Sequence, residues 1–111
     1  MMNRKDKGKS LEMYLSDVLS SIDPKSRPTK ASGACNEIAD LFHEHFFAET
    51  KNWNCESITF KMKVWDKLCA SIPIQSLKTP IYVNQVANGR KFVLIELKDF
   101  VRIAVDAYKE E

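Results

Sequence analysis

No stretch of this sequence is apolar over the roughly eighteen or more residues that a membrane-spanning helix needs. The opening Met-Met-Asn-Arg-Lys also lacks the apolar core of a secretory signal. With 44% hydrophobic and 29% charged residues in a chain of 111, the composition is typical of one soluble globular domain. We therefore expect the chain to act inside a cell or a particle, with no membrane partner.

Paired cysteines and common catalytic motifs are missing as well. Cys35, Cys55 and Cys69 are odd in number and show no paired spacing, which predicts free thiols that behave as small buried hydrophobic residues. The sequence contains no Ser-His-Asp set, no Gly-rich phosphate loop and no spaced carboxylate pair with the signature of a polar pocket. We therefore expect no catalytic residues and no enzymatic activity.

The two histidines, His43 and His45, are the remaining candidate metal ligands. Residues two apart on a helix point about 200° away from each other, so these two side chains do not converge on one ion. We expect no metal, no cofactor and no small-molecule substrate.

The positive charge is concentrated at the amino-terminal end. Residues 1–30 contain seven Lys and Arg against four Asp and Glu, whereas residues 31–111 contain ten against eleven. A polyanion is therefore expected to meet the amino-terminal end first.

One long helix over residues 31–54 is predicted to organise the chain. Ile38, Leu41, Phe42, His45 and Phe46 recur at steps of three and four residues, a pattern typical of an amphipathic helix. The apolar side chains on one face of this helix must be buried, so shorter elements or a partner chain are expected to pack on that face.

Shorter elements are predicted before and after this helix. Pro24 and Pro73 end helical patterns, and Asn88-Gly89 between two runs of β-branched and aromatic residues indicates a tight hairpin turn. Trp53 and Trp65 are interpreted as core or dimer-interface residues rather than base-stacking platforms. The predicted order is a basic arm (1–9), a helix (10–22), a basic loop (24–30), the long helix (31–54), a third helix ending before Pro73, a β-hairpin (80–97) and a helix (98–109).

Several segments within residues 11–73 follow one another with the order and near-correct spacing of a known family. They are residues 11–24, with Tyr14, Val18-Leu19 and the terminal Pro24; residues 29–31, Thr-Lys-Ala; residues 38–42, Ile-Ala-Asp-Leu-Phe; and residues 57–59, Ser-Ile-Thr, with Pro73 closing the third helix. In these features the chain resembles the core histones, and the 2B type most closely.

The resemblance implies a mainly α histone fold over residues 10–73, made of a short helix, a long central helix and a short helix. Residues 74–111 would form a carboxy-terminal extension containing the hairpin and a final helix. The implied partners are a histone 2A-like protein in a heterodimer, other core histones in a nucleosome-like particle, and double-stranded DNA held by phosphate contacts that do not read sequence. The implied location is nuclear chromatin, or a virion and the host nucleus if the source is a giant DNA virus.

The resemblance, together with the basic amino-terminal arm, also implies two sets of contact residues. The DNA-binding candidates are Arg4, Lys5, Lys7, Lys9, Lys25, Arg27, Thr29, Lys30, Ser57, Thr59 and Lys61. The candidates for the dimer interface are Leu15, Val18, Leu19, Ile38, Leu41, Phe42, Phe46, Val64 and Leu68.

The chain also departs from the family pattern. Nine residues replace the long basic tail, the second loop is shortened and has lost its basic pair, and Ile74-Gln75 stand where the family has a glutamate. The hairpin has no counterpart in the family. These departures indicate a highly diverged histone.

Two other functions remain open. A histone-fold subunit of a transcription or assembly complex would work through protein contacts, and its binding would weaken little with salt. A winged-helix DNA-binding regulator would place the third helix in the major groove and use residues 80–97 as its wing.

Overall fold

A computed structural model describes the backbone of residues 4–28 and 41–109, and the side chains of residues 11–28 and 43–109. Helices and strands are interspersed along the chain, so the fold is α/β. The elements are α1 (Arg4–Leu19), β1 (Arg27–Pro28), β2 (Leu41–Phe42), β3 (Phe46–Asn52), α2 (Met62–Ala70), β4 (Thr79–Gln85), β5 (Lys91–Leu94) and α3 (Leu97–Tyr108).

The strands form one mixed sheet in the order β1-β2-β3-β4-β5. β3 and β4 are parallel, and the crossover between them contains α2, because parallel neighbours need a long connection. The other neighbouring pairs are antiparallel. The two-residue strands β1 and β2 form one side of the sheet, and β5 forms the opposite edge.

The predicted mainly α histone fold is wrong. Its long central helix over residues 31–54 is replaced, in the part that the structure describes, by β2 and β3. The apolar residues that step by three and four also form short continuous runs, and a strand buried on both faces produces such a run. In β3, Phe47 packs towards α2 and Ala48 packs towards α1.

The core has two parts, one on each face of the sheet. On one face, Leu11 and Leu15 of α1 pack against Ala48, Ile81 and Val83. On the other face, α2 places its two buried residues on the sheet. The residues of this second cluster are Phe47, Trp65, Leu68 and Tyr82. The sheet therefore lies between α1 and α2.

The observed helices α1, α2 and α3 correspond to the helices predicted at the amino terminus, before Pro73 and at the carboxy terminus. α1 begins at Arg4, so residues 4–9, predicted as an arm, belong to a helix. α2 begins at Met62 and ends at Ala70, before Pro73 as expected. α3 has no buried residue along its length. None of the described helices is both long and apolar enough to cross a membrane.

The predicted hairpin corresponds to β4 and β5. Gly89 at its turn has a φ of 88°, a backbone conformation that favours glycine. The backbone N–H of Val86 donates to the carbonyl of Arg90 over 3.0 Å and closes the turn.

Candidate functional site

The parallel strands β3 and β4 end side by side. Lys51 lies opposite Asn84, and Asn52 lies opposite Gln85. In open α/β sheets, ligands bind outside the carboxyl ends of the strands. This end of the sheet is therefore a candidate location for a ligand site.

Glu49 and Lys51 share one face of β3 because they are two residues apart on a strand. This is the face that packs towards α2, since Phe47 lies two residues before Glu49 and belongs to the α2 cluster. Glu49 is half-buried and Lys51 is exposed. A carboxylate and an ammonium group thus occupy neighbouring positions where β3 leaves the core.

Trp53 follows these two residues and is held in place by Asn84. The indole Nε1 donates to Oδ1 of Asn84 over 2.8 Å. Asn84 is only 3% exposed, and its Nδ2 donates to the carbonyl of Tyr82 over 3.1 Å. The ammonium of Lys51 lies 5.4 Å from the centre of the Trp53 ring, within the range of a cation–π contact.

The strand next to Glu49 is β2, whose Leu41 pairs with Ala48 in an antiparallel register. In the sequence, Asp40 immediately precedes Leu41, although Asp40 lies outside the described residues.

Within residues 11–28 and 43–109, no group of three His, Cys, Asp or Glu side chains is arranged to hold a metal ion. Mg²⁺ often needs fewer protein ligands, because one or two carboxylates and the phosphates of a substrate complete its shell together with water. Glu49, which is half-buried on β3, provides a single carboxylate of this kind. Cys55 is exposed and Cys69 is half-buried, and both are free thiols.

A second polar cluster joins the turn after α1 to the turn before β3. Asp23 accepts hydrogen bonds from the backbone N–H groups of Lys25 (3.0 Å) and Glu44 (2.8 Å). Burial by itself raises the pKa of Asp23, but these two donors and the nearby histidines outweigh it and hold the pKa below its usual value.

His43, beside Asp23, is fully buried. Its Nδ1 accepts hydrogen bonds from the backbone N–H groups of His45 (3.0 Å) and Phe46 (3.3 Å). Burial lowers the pKa of His43 below its usual range, so the ring is neutral near pH 7. Both side chains are committed to backbone groups, and we assign this cluster to the fold rather than to chemistry.

The DNA-binding candidates from the sequence are placed in separate regions. Lys25 and Arg27 are exposed in the turn after α1 and on β1, whereas Ser57, Thr59 and Lys61 are exposed in the loop between β3 and α2. β1 and β3 are separated by β2 in the sheet. Thr29 and Lys30 lie outside the described residues. The side chains of Arg4, Lys5, Lys7 and Lys9 do so as well.

The candidates for the dimer interface are divided between core and surface. Four of them lie in the two apolar clusters or against them, namely Leu15, Leu19, Phe46 and Leu68. Val18 and Val64 are exposed. The side chains of Ile38, Leu41 and Phe42 lie outside the described set.

Sequence reasoning missed the residues at the end of β3. The available signal was Glu-Thr-Lys directly after the apolar run Phe46-Phe47-Ala48, an arrangement that places charge at the exit of a buried strand. Under the helical interpretation, the same residues were an ordinary solvated face.

Comparison of the chain with protein-family models, with curated proteins and with solved structures finds no significant match.

Proposed function

We propose that this chain is a metal-dependent phosphodiesterase that acts on nucleic acid, with Glu49 as a ligand of Mg²⁺ and Lys51 as the cation beside the reacting phosphate. The observation that supports this most is the placement of both side chains on one face of β3, with Glu49 in the middle of the strand and Lys51 next to its carboxyl end. A sheet end of this kind is a common location for ligand sites.

The chemistry of the two side chains fits phosphoryl transfer. A bound Mg²⁺ supplies charge neutralisation at the phosphate and lowers the pKa of a coordinated water. Glu49 provides a hard oxygen ligand of the type that this ion prefers. Lys51 places a positive charge two residues away on the same face, where it stabilises the negative charge that develops on the phosphate oxygens.

We include Asp40 as a candidate second carboxylate because it directly precedes Leu41 in the sequence. It precedes β2, the strand paired with β3 beside Glu49. Two carboxylates and a substrate phosphate would be sufficient for Mg²⁺. The proposal therefore includes Asp40 as the residue whose replacement tests the ligand set.

This proposal replaces DNA packaging, because DNA packaging was implied by a histone fold and the observed fold is α/β. It keeps the expectation that the chain contacts nucleic-acid phosphates. It departs from the expectation that the chain is not an enzyme. A module that binds nucleic acid without cleaving it remains the second candidate, supported by the basic side chains beside aromatic rings at the same end of the sheet.

The test is cleavage of supercoiled plasmid and of end-labelled oligonucleotides by the purified chain, with Mg²⁺ or Mn²⁺ and with excess EDTA. Glu49→Gln and Asp40→Asn should abolish cleavage. Lys51→Met should lower its rate by about 100-fold, as expected when a group that stabilises transition-state charge is removed.

Matched controls are Glu56→Gln, in the exposed loop after β3, and Lys63→Met, on the exposed side of α2. Both should retain wild-type rates. Cleavage that persists in EDTA or in Glu49→Gln would contradict the proposal. Binding without cleavage under every metal condition would favour the second candidate.

A further inference from the structure

Three adjacent strands place Lys51, Asn84 and Phe92 in one row across the sheet. Lys51 lies opposite Asn84 on β4, and Asn84 lies opposite Phe92 on β5. Residues directly opposite one another project from the same face. This face is the one covered by α2 at Tyr82, but at the row itself Phe92 remains 41% exposed.

The Trp53 ring lies against the same row. Its Nε1 is tethered to Oδ1 of the buried Asn84, and the ring itself is only half-buried. An aromatic ring that is fixed at its polar end loses little conformational freedom when a ligand stacks on it.

A cation accompanies each of the two rings. The Lys51 ammonium lies 5.4 Å from the Trp53 ring centre, and the Arg90 guanidinium lies 5.2 Å from that of Phe92. The nearby acidic side chain of Glu56 accepts a hydrogen bond from Asn88 over 3.2 Å. Aromatic rings with cations over them match a ligand that has flat rings and a negatively charged backbone.

We propose that Trp53 and Phe92, with Lys51 and Arg90, form a stacking platform for unpaired nucleotides. A base stacks on an aromatic side chain only when the face of the base is free. The accompanying phosphates are neutralised by Lys and Arg. A duplex hides its base faces, so the occupant is single-stranded nucleic acid or an unpaired segment. The inference rests on the proposed function for the class of ligand, and it adds which part of that ligand is bound here.

The test measures binding of the full chain to fluorescein-labelled dT12 by anisotropy, in EDTA so that cleavage does not contribute. Trp53→Ala and Phe92→Ala should each weaken binding by about tenfold, as expected for the loss of one stacked base. Trp53→Phe and Phe92→Tyr should retain most of the affinity. Binding of a 12-base-pair duplex should change less than twofold in all four variants.

Tyr14→Ala is the matched control, because Tyr14 is an exposed aromatic with Lys91 4.4 Å from its ring centre, packed on the α1 side of the sheet. It should bind dT12 as the wild type does. Thermal unfolding of each variant identifies loss of structure, and Phe92→Ala, at an exposed position, tests the platform independently of Trp53.

Unchanged binding of dT12 by both alanine variants would overturn the platform, as would an equal loss of dT12 and duplex binding in folded variants. Cleavage by a wild type that does not bind dT12 would overturn the platform alone. Binding of dT12 with the expected losses, but without cleavage under any metal condition, would support the platform and contradict the phosphodiesterase.

Discussion

The carboxylate of Asp23 accepts the backbone N–H of Glu44 over 2.8 Å, across 21 residues of sequence. Its other oxygen accepts the backbone N–H of Lys25 over 3.0 Å. One buried side chain therefore joins the turn that ends α1 to the turn that leads into β3. The position of α1 on the sheet therefore depends on the two hydrogen bonds of Asp23 as well as on the packing of Leu11 and Leu15.

Replacement of Asp23 by Asn should lower the urea midpoint of unfolding, because an amide offers one acceptor oxygen for two donors and turns its own N–H groups towards one of them. Asp17→Asn, at an exposed position on α1, is the control and should unfold as the wild type does. Equal midpoints for the two variants would show that these hydrogen bonds contribute nothing to stability.

Protonation of His43 should destabilise the fold in mild acid. The neutral ring uses Nδ1 to accept two backbone N–H groups, and its pKa is held low by burial. The unfolded chain takes up a proton near the usual pKa of 6.5, while the folded chain does not. The free energy of unfolding should therefore fall as the pH drops below about 6.5.

The measurement for His43 is urea unfolding at a series of pH values. His43→Asn keeps an acceptor near the Nδ1 position and does not titrate, so its stability should vary less between pH 5 and pH 7, the range around the usual histidine pKa of about 6.5. The exposed His45→Asn should retain the wild-type dependence. A steep pH dependence that survives in His43→Asn would assign the effect to another group.

The sequence predicted the local signals of the fold better than its long-range pairing. Pro73 follows the end of α2, and Asn88-Gly89 lies at the hairpin turn between β4 and β5, because proline and glycine act through their own backbone geometry. The three- and four-residue spacing of apolar residues predicts a helix through residues 46–52, whereas their short continuous run is the signal that matches β3.

The candidate site could not be predicted because it depends on that pairing. Glu49 and Lys51 become significant only when β3 is a strand, because a strand places them on one face, beside β4. Asn84 lies 31 residues from Trp53, and no local pattern indicates their hydrogen bond. The stated Glu-Thr-Lys signal is too short to be specific without the sheet.

The role of α1 as a core helix leads to a further prediction. Leu11 is 1% exposed between α1 and the sheet, whereas Val18 on the same helix is 52% exposed. Leu11→Ala should lower the free energy of unfolding by about 2–5 kcal/mol through lost burial and a cavity. Val18→Ala should change it by less than about 0.5 kcal/mol.

These two variants also test whether α1 is covered by a second copy of this chain, which is a different assembly from the heterodimer with a histone 2A-like protein that the resemblance implied. If Val18 were covered by a second copy of this chain, Val18→Ala would destabilise the assembled form only, and its effect would depend on protein concentration. Urea unfolding at two concentrations tenfold apart separates the cases. A midpoint that is independent of concentration in both variants would agree with a fold that is stable as a monomer.

The tether between Asn84 and Trp53 should control the mobility of the indole. Asn84→Leu removes the acceptor at Oδ1 and leaves Nε1 of Trp53 without this partner, while the apolar side chain remains compatible with a buried position. In a Trp65→Phe background, which leaves Trp53 as the single tryptophan, acrylamide should quench the emission more strongly and its anisotropy should fall.

Glu96→Leu in the wild-type background is the control for binding. It removes the acceptor of the other indole, Trp65, which donates to Glu96 over 3.1 Å, and it should leave binding of dT12 unchanged. Asn84→Leu should weaken that binding several-fold, because the stacking ring must then be ordered by the ligand itself. Emission from Trp53 that is identical with and without Asn84 would show that the surrounding backbone, rather than this hydrogen bond, orients the ring.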